Sequence, residues 1–211
     1  MSQTISILGA GNVGMALATA LTRAGDAVVV GVPDRDKYRD QFAAQLPSVR
    51  LLGTDAAITA GDVIILAVPY SALGTIAAMR TDWHSKILVD ATNPLAPGLS
   101  GLSLGTHTSG AETLAAMASG ARVVKAFNTT GAENLADSRY PGGVPFMPVC
   151  GDDAAAKQHV MALATRIGFD AVDAGSLAAA RYLEPFAMTW IHLAIKMGHG
   201  RSFAFSRLQR A

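Results

Sequence analysis

Gly9-Ala10-Gly11-Asn12-Val13-Gly14 decides the fold. The hexamer follows an apolar run, Ile5-Ser6-Ile7-Leu8, and leads into residues 12–24, where Val13, Leu17 and Leu21 recur at four-residue spacing and Gly25 stands ready to end a helix. Strand, glycine turn and helix in direct succession are the setting in which G-x-G-x-x-G binds a dinucleotide. Gly9 permits the tight turn, Gly11 lets backbone approach a pyrophosphate, and Gly14 lets helix and strand pack closely. Unpaired N–H groups and the positive end of the helix then face the anion. The alternative is a glycine-rich turn that holds no ligand.

Outward from this unit, short apolar runs recur at Val28-Val29-Val30, Val63-Ile64-Ile65-Leu66, Ile87-Leu88-Val89 and Val123-Val124-Lys125-Ala126-Phe127. They are nearly continuous rather than alternating, as parallel strands buried on both faces must be. Residues 35–45, closed by Pro47, form a second helix candidate. Residues 146–150 read as a strand, 154–167 as a helix capped from Asp152-Asp153 and ended by Gly168, and 169–174 as another short strand. From Leu177 onward the pattern is helical, with Pro185 placed near a helix start. The expectation is a Rossmann-type α/β domain over residues 1–211: a doubly wound, mainly parallel sheet with a small C-terminal helical part. Residues 177–211 would pack on the sheet or on a twin subunit.

A chain of 211 residues is long enough for one large domain or two small ones. Its charged fraction of 16% lies below the roughly 25% of an average soluble domain, which points to surface covered by a partner subunit. The net charge of +1 offers no footprint for nucleic acid or an acidic membrane, so the expected partner is a small molecule. A single cysteine, Cys150, excludes an internal disulfide and a multi-cysteine metal site, and it reads as a small buried residue. The first residues carry no signal peptide, and the apolar stretch 186–195 is too short to cross a bilayer, so the expected location is the cytoplasm. His192 and His199, placed on one face of the C-terminal helix, are spaced too far apart for a metal pair. There is no G-x-S-x-G, no H-E-x-x-H and no P-loop lysine. No catalytic side chain and no metal are therefore expected.

Asp34 falls 20 residues beyond Gly14, the interval of an acid that binds the ribose 2′-OH of NAD, whereas Arg35 and Lys37 suit the 2′-phosphate of NADP. A third reading makes these charges a solvated cap on the following helix. Ligands of doubly wound sheets bind at the C-terminal ends of the strands. Those ends carry Val68 and Pro69, then Ala91, Thr92, Asn93 and Pro94, then Phe127, Asn128 and Thr129. Asn93 and Asn128 offer donors and acceptors to a carboxamide or a flavin-like ring edge, or they stabilise turns. Phe127 packs against a ring or within the core.

The glycine turn, Ala67-Val68-Pro69-Tyr70, residues 89–95 (VDATNPL), Lys125-Ala126-Phe127-Asn128-Thr129, Cys150-Gly151-Asp152-Asp153, Val172-Asp173-Ala174-Gly175 and Leu183-Glu184-Pro185 together resemble the F420-dependent NADP oxidoreductase family. The resemblance implies a homodimer that transfers hydride between nicotinamide C4 and the deazaflavin of coenzyme F420. It assigns Ala10, Gly11, Asn12 and Val13 to the cofactor turn. Where the family carries a Ser-Arg pair for the 2′-phosphate this chain has Val32-Pro33, and Lys37 matches the family's later basic residue. Similar domains serve membrane ferric reductases that use flavin. An NADPH-dependent flavin or ferric-chelate reductase is thus the alternative enzyme, and a non-catalytic NAD(P)-binding redox sensor the alternative of another class.

Overall fold

Strands without a polar face must be covered on both sides. The computed structural model, which describes residues 3–210, meets that demand with helices on either side of one sheet. The strands are β1 (Thr4–Leu8), β2 (Ala27–Val32), β3 (Arg50–Gly53), β4 (Val63–Leu66), β5 (Ile87–Asp90), β6 (Arg122–Lys125), β7 (Phe146–Gly151) and β8 (Asp170–Asp173). Their order is β3-β2-β1-β4-β5-β6-β7-β8. All neighbours run parallel except β6 and β7. The chain reverses its direction of travel across the sheet between β1 and β4, which opens a crevice at their C-terminal ends.

β4 shows how an unbroken apolar run serves two cores. Val63 and Ile65 join the core under α1 (Asn12–Arg23), α2 (Arg39–Gln45), α6 (Ala132–Ala136) and α7 (Ala154–Arg166). Ile64 and Leu66 join the other, under α3 (Thr54–Ala60), α4 (Leu73–Ala77), α5 (Gly110–Met117) and α8 (Ala180–Ile191). The period of two along a strand sends alternate residues to opposite faces.

Several local expectations change. β3, with only Leu51 and Leu52 as an apolar pair, is too short to read from sequence. The helix expected over 35–45 splits into a 3-10 turn, Asp36–Tyr38, followed by α2. β6 stops at Lys125, because Phe127 adopts a left-handed φ of 62°. Pro185 lies inside α8 rather than near its start, since α8 begins at Ala180 behind a 3-10 turn; its missing N–H leaves the Arg181 carbonyl without a helical donor. Helical structure ends in a π-helical turn at His192–Lys196, and the following chain to residue 210 is irregular. Gly198, at φ 73°, turns the chain away, so His192 and His199 do not share a helical face.

Ile65 is fully buried, so Ile65→Ala should cost about 2–5 kcal/mol of unfolding free energy in a urea titration.

Candidate active site

The turn between β1 and α1 owes its shape to two glycines. Gly9 sits at φ 108°, and a Cβ there would stand 2.4 Å from the Ala67 carbonyl oxygen; a Cβ on Gly14 would stand 2.0 Å from the Gly9 carbonyl oxygen. Gly11 is different. It has ordinary extended backbone, φ −76° and ψ −175°, and a Cβ on it would meet no protein atom within 4 Å. Protein packing does not require this glycine; what it preserves is open space in front of α1. No side chain caps α1, so its first-turn amides are left to an external acceptor. Open space before uncapped amides fits the diphosphate of a dinucleotide.

Beside the turn lies a cleft of about 320 Å³. It brings together Asn12 and Val13 from α1, Ala91 and Asn93 after β5, and Phe127 and Asn128 after β6. Asn93 Nδ2 donates to the Asn128 carbonyl at 2.9 Å, and Asn128 Nδ2 donates to Asn93 Oδ1 at 3.0 Å and to the Leu183 carbonyl at 3.3 Å. Both amide orientations are set, because carbonyl oxygens can only accept. The pair therefore ties two loops together, and Asn128 Oδ1 remains a buried acceptor with no hydrogen-bond partner. Phe127 and Thr129 are buried, with Phe127 part of the core under α1. Pro94 is buried outside the cleft lining.

The other candidates lie elsewhere along the crevice. Val68 is close to Gly9, and Pro69 is exposed beyond it. Asp34, Arg35 and Lys37 are exposed off the end of β2. Asp34 Oδ1 accepts from the amides of Asp36 and Lys37, so this carboxylate caps the 3-10 turn.

The opposite wall of the cleft was hidden from the sequence. Trp190 and Ile191 come from the end of α8, Ile195 from the π-helical turn and Arg201 from the irregular tail. Trp190 Nε1 donates to the Phe203 carbonyl at 2.9 Å, and the two rings stack with centroids 5.5 Å apart. Arg201 Nε bonds Glu133 Oε1 at 2.7 Å, which holds the Glu133 carboxyl below its ordinary pKa against the opposing effect of burial. No periodic pattern announces a wall assembled from a helix end and a returning tail. Cys150 is buried, and desolvation pushes its thiol up to about 12, which keeps it protonated. Among the described residues no helix is long and apolar enough to cross a membrane, and no group of His, Cys, Asp or Glu side chains is placed to hold a metal ion.

A Rossmann sheet with an open glycine turn beside a cleft walled by an indole and three asparagines is the architecture of an NAD(P)-dependent oxidoreductase. Residues 4–94 match the family model described as NADP oxidoreductase, coenzyme F420-dependent. An F420-dependent NADP reductase of Methanothermobacter marburgensis is 31% identical, over 91% of this chain and 92% of its own length. The rat metalloreductase STEAP3 is 34% identical over 85% of this chain, which spans only 35% of that protein. A crystal structure from Arthrobacter sp. FB24, provisionally described as an F420-dependent NADP reductase, superposes with a TM-score of 0.87 at 29% identity, over 97% of this chain and all of that one. The chain belongs to the F420-dependent NADP oxidoreductase family.

Gly11→Leu separates cradle from fold. Its unfolding free energy should stay within about 1 kcal/mol of wild type, while its NADPH affinity by calorimetry falls by about tenfold or more.

Proposed function

We propose that this protein carries hydride between NADP(H), held by Gly9 to Gly14, and a deazaflavin or flavin-type ring seated in the adjoining cleft. The observation that carries the reading is Gly11, whose missing side chain serves no protein contact and keeps the cradle open beside the Asn93 and Asn128 pair. NADP(H), when bound, supplies or accepts the hydride, and such chemistry belongs to the two ring systems. The chain's part is positioning and exclusion of water. Val13, Trp190, Ile191 and Ile195 present apolar surface to the cleft. Asn93 and Asn128, fastened to each other, line the same cleft.

Coenzyme F420 is the favoured second substrate, supported by the full-length similarity to the Methanothermobacter reductase. A second reading, reduction of a flavin or ferric chelate, is favoured by the similarity to the metalloreductase over about a third of that protein's length. NADP is preferred to NAD in this reading. The Asp34 carboxylate is engaged with backbone amides, and Arg35 and Lys37 stand exposed at the end of β2 to meet a 2′-phosphate. We also place the protein in the cytoplasm as a homodimer. Exposed Val144 and Met197, outside the cleft lining, supply apolar surface for self-association, and an unpaired buried cysteine suits a reducing compartment.

Purified protein mixed with NADPH and, in separate cuvettes, F420, FMN or ferric citrate should oxidise the nicotinamide with F420. Turnover confined to FMN or iron would move the assignment to the second reading, and tight NADPH binding with no acceptor turned over would leave a redox sensor. Arg35→Ala with Lys37→Ala should weaken NADPH by at least about tenfold and NADH by far less, since even one phosphate contact is worth roughly 1.5–3 kcal/mol. Equal losses for both nucleotides would remove these residues from the 2′-phosphate.

A further inference from the structure

Lys125 ends β6 and Asp90 ends β5, and the two are register partners on adjacent strands. Both are fully buried, as is Glu184 from α8. Lys125 Nζ donates to Asp90 Oδ2 at 2.8 Å and to the Thr92 carbonyl at 2.6 Å, and it lies 2.9 Å from Glu184 Oε1. An ammonium has three N–H donors, and here each has an acceptor. Asp90 Oδ1 also accepts from the Thr92 amide at 2.9 Å. Thr92 is thereby gripped through its N–H by Asp90 and through its carbonyl by Lys125. The next residue is Asn93, which bridges to Asn128 in the cleft.

The same ammonium reaches the opposite wall. Glu184 belongs to the helix that delivers Trp190 and Ile191 to the cleft, and its carboxylate also accepts from the amides of Gly110 and Ala111 at 3.0 and 3.3 Å. Those amides open α5, whose positive end offsets the second negative charge in the cluster. Burial on its own would push the Lys125 ammonium down; the Asp90 carboxylate and then Glu184 outweigh it and hold the pKa above its ordinary value. Apolar packing is non-directional and lets helices slide. A charged donor with three placed acceptors does not.

We propose that Lys125 is a positioning residue that sets the spacing between the Asn93 wall and the Trp190 wall of the cleft, and with it the approach of the two rings. It is fully buried and does not line the cleft. The inference rests on the reading of the cleft as the site of hydride transfer.

Two variants test it: Lys125→Met, and the charge-free triple Asp90→Asn, Lys125→Met, Glu184→Gln, which removes the cluster without stranding a buried charge. Each is measured for folding by circular dichroism, for NADPH affinity, for the emission of bound NADPH, and for turnover with the acceptor that wild type uses. The triple variant should fold and bind NADPH within about threefold of wild type, while kcat falls by about tenfold or more at a nearly unchanged KM. Its bound NADPH should emit closer to the free nucleotide, because the ring is held less rigidly, and 4-deuterated NADPH should show a larger isotope effect. A folded variant with wild-type kcat and wild-type emission overturns the proposal. So does failure of both variants to fold, which would make the cluster a structural requirement alone. A wild type that binds NADPH but reduces no acceptor defeats the functional reading by itself, and the emission of the bound nucleotide still decides the positioning role.

Discussion

A charged lysine at the edge of a hydrophobic core must be matched from every side, and much of this molecule is arranged around that demand. Lys125 stands on the sheet face covered by α3, α4, α5 and α8, where its neighbours along the strands are Val123 and Leu88. Removing one partner of such a buried ion pair costs about 3–5 kcal/mol, because the remaining charge is left without water. The acids therefore come from two different parts of the chain, Asp90 from the adjacent strand and Glu184 from a helix almost sixty residues further on. That second acid sits at the start of α5, so one cluster joins β5, β6, α5 and α8. The C-terminal helix is consequently part of the domain's interior rather than an appendage to it.

At the other end of the crevice the governing constraint is steric. Gly14 lets the first turn of α1 lie against the Gly9 carbonyl at a distance no Cβ permits, and that approach directs the uncapped amides of the helix toward the crevice. Gly11 contributes by leaving room. The two constraints meet between Ala91 and Asn128, where the loops after β5 and β6 are fastened by a reciprocal pair of asparagine bonds. Close backbone contact shapes the cradle, and a buried ion cluster joins the strand end beside the cleft to the helix that carries Trp190.

Relatives of very different size share this unit. The archaeal reductase matches it over nearly its full length, and the metalloreductase over about a third of its own. The family model, over residues 4–94, spans the glycine turn and the loop end after β5. The cleft wall that faces that loop end comes from the end of the chain. In this chain that wall is Trp190 and Ile191 with the tail from Arg201 to Phe205 behind them, stacked through Phe203 and pinned by the Trp190 indole N–H.

Near neighbours in the chain make the sheet and the cradle legible from the residues alone. Ile5 to Leu8, the glycines at 9, 11 and 14, and the Val13, Leu17, Leu21 stripe act within a few residues of one another, and local sterics and periodicity suffice to read them. The loop ends at Asn93 and Asn128 follow from knowing that such sheets bind ligands beyond their strands. The pairing of Lys125 with Asp90 and Glu184, the partnerless Asn128 Oδ1 and the Trp190 wall were settled only by tertiary structure. A lysine in an apolar run reads as an interruption until strand register and a distant helix supply its acceptors. The same holds for the π-helical turn and the returning tail, whose conformations depend on what they pack against rather than on any repeat in their own residues.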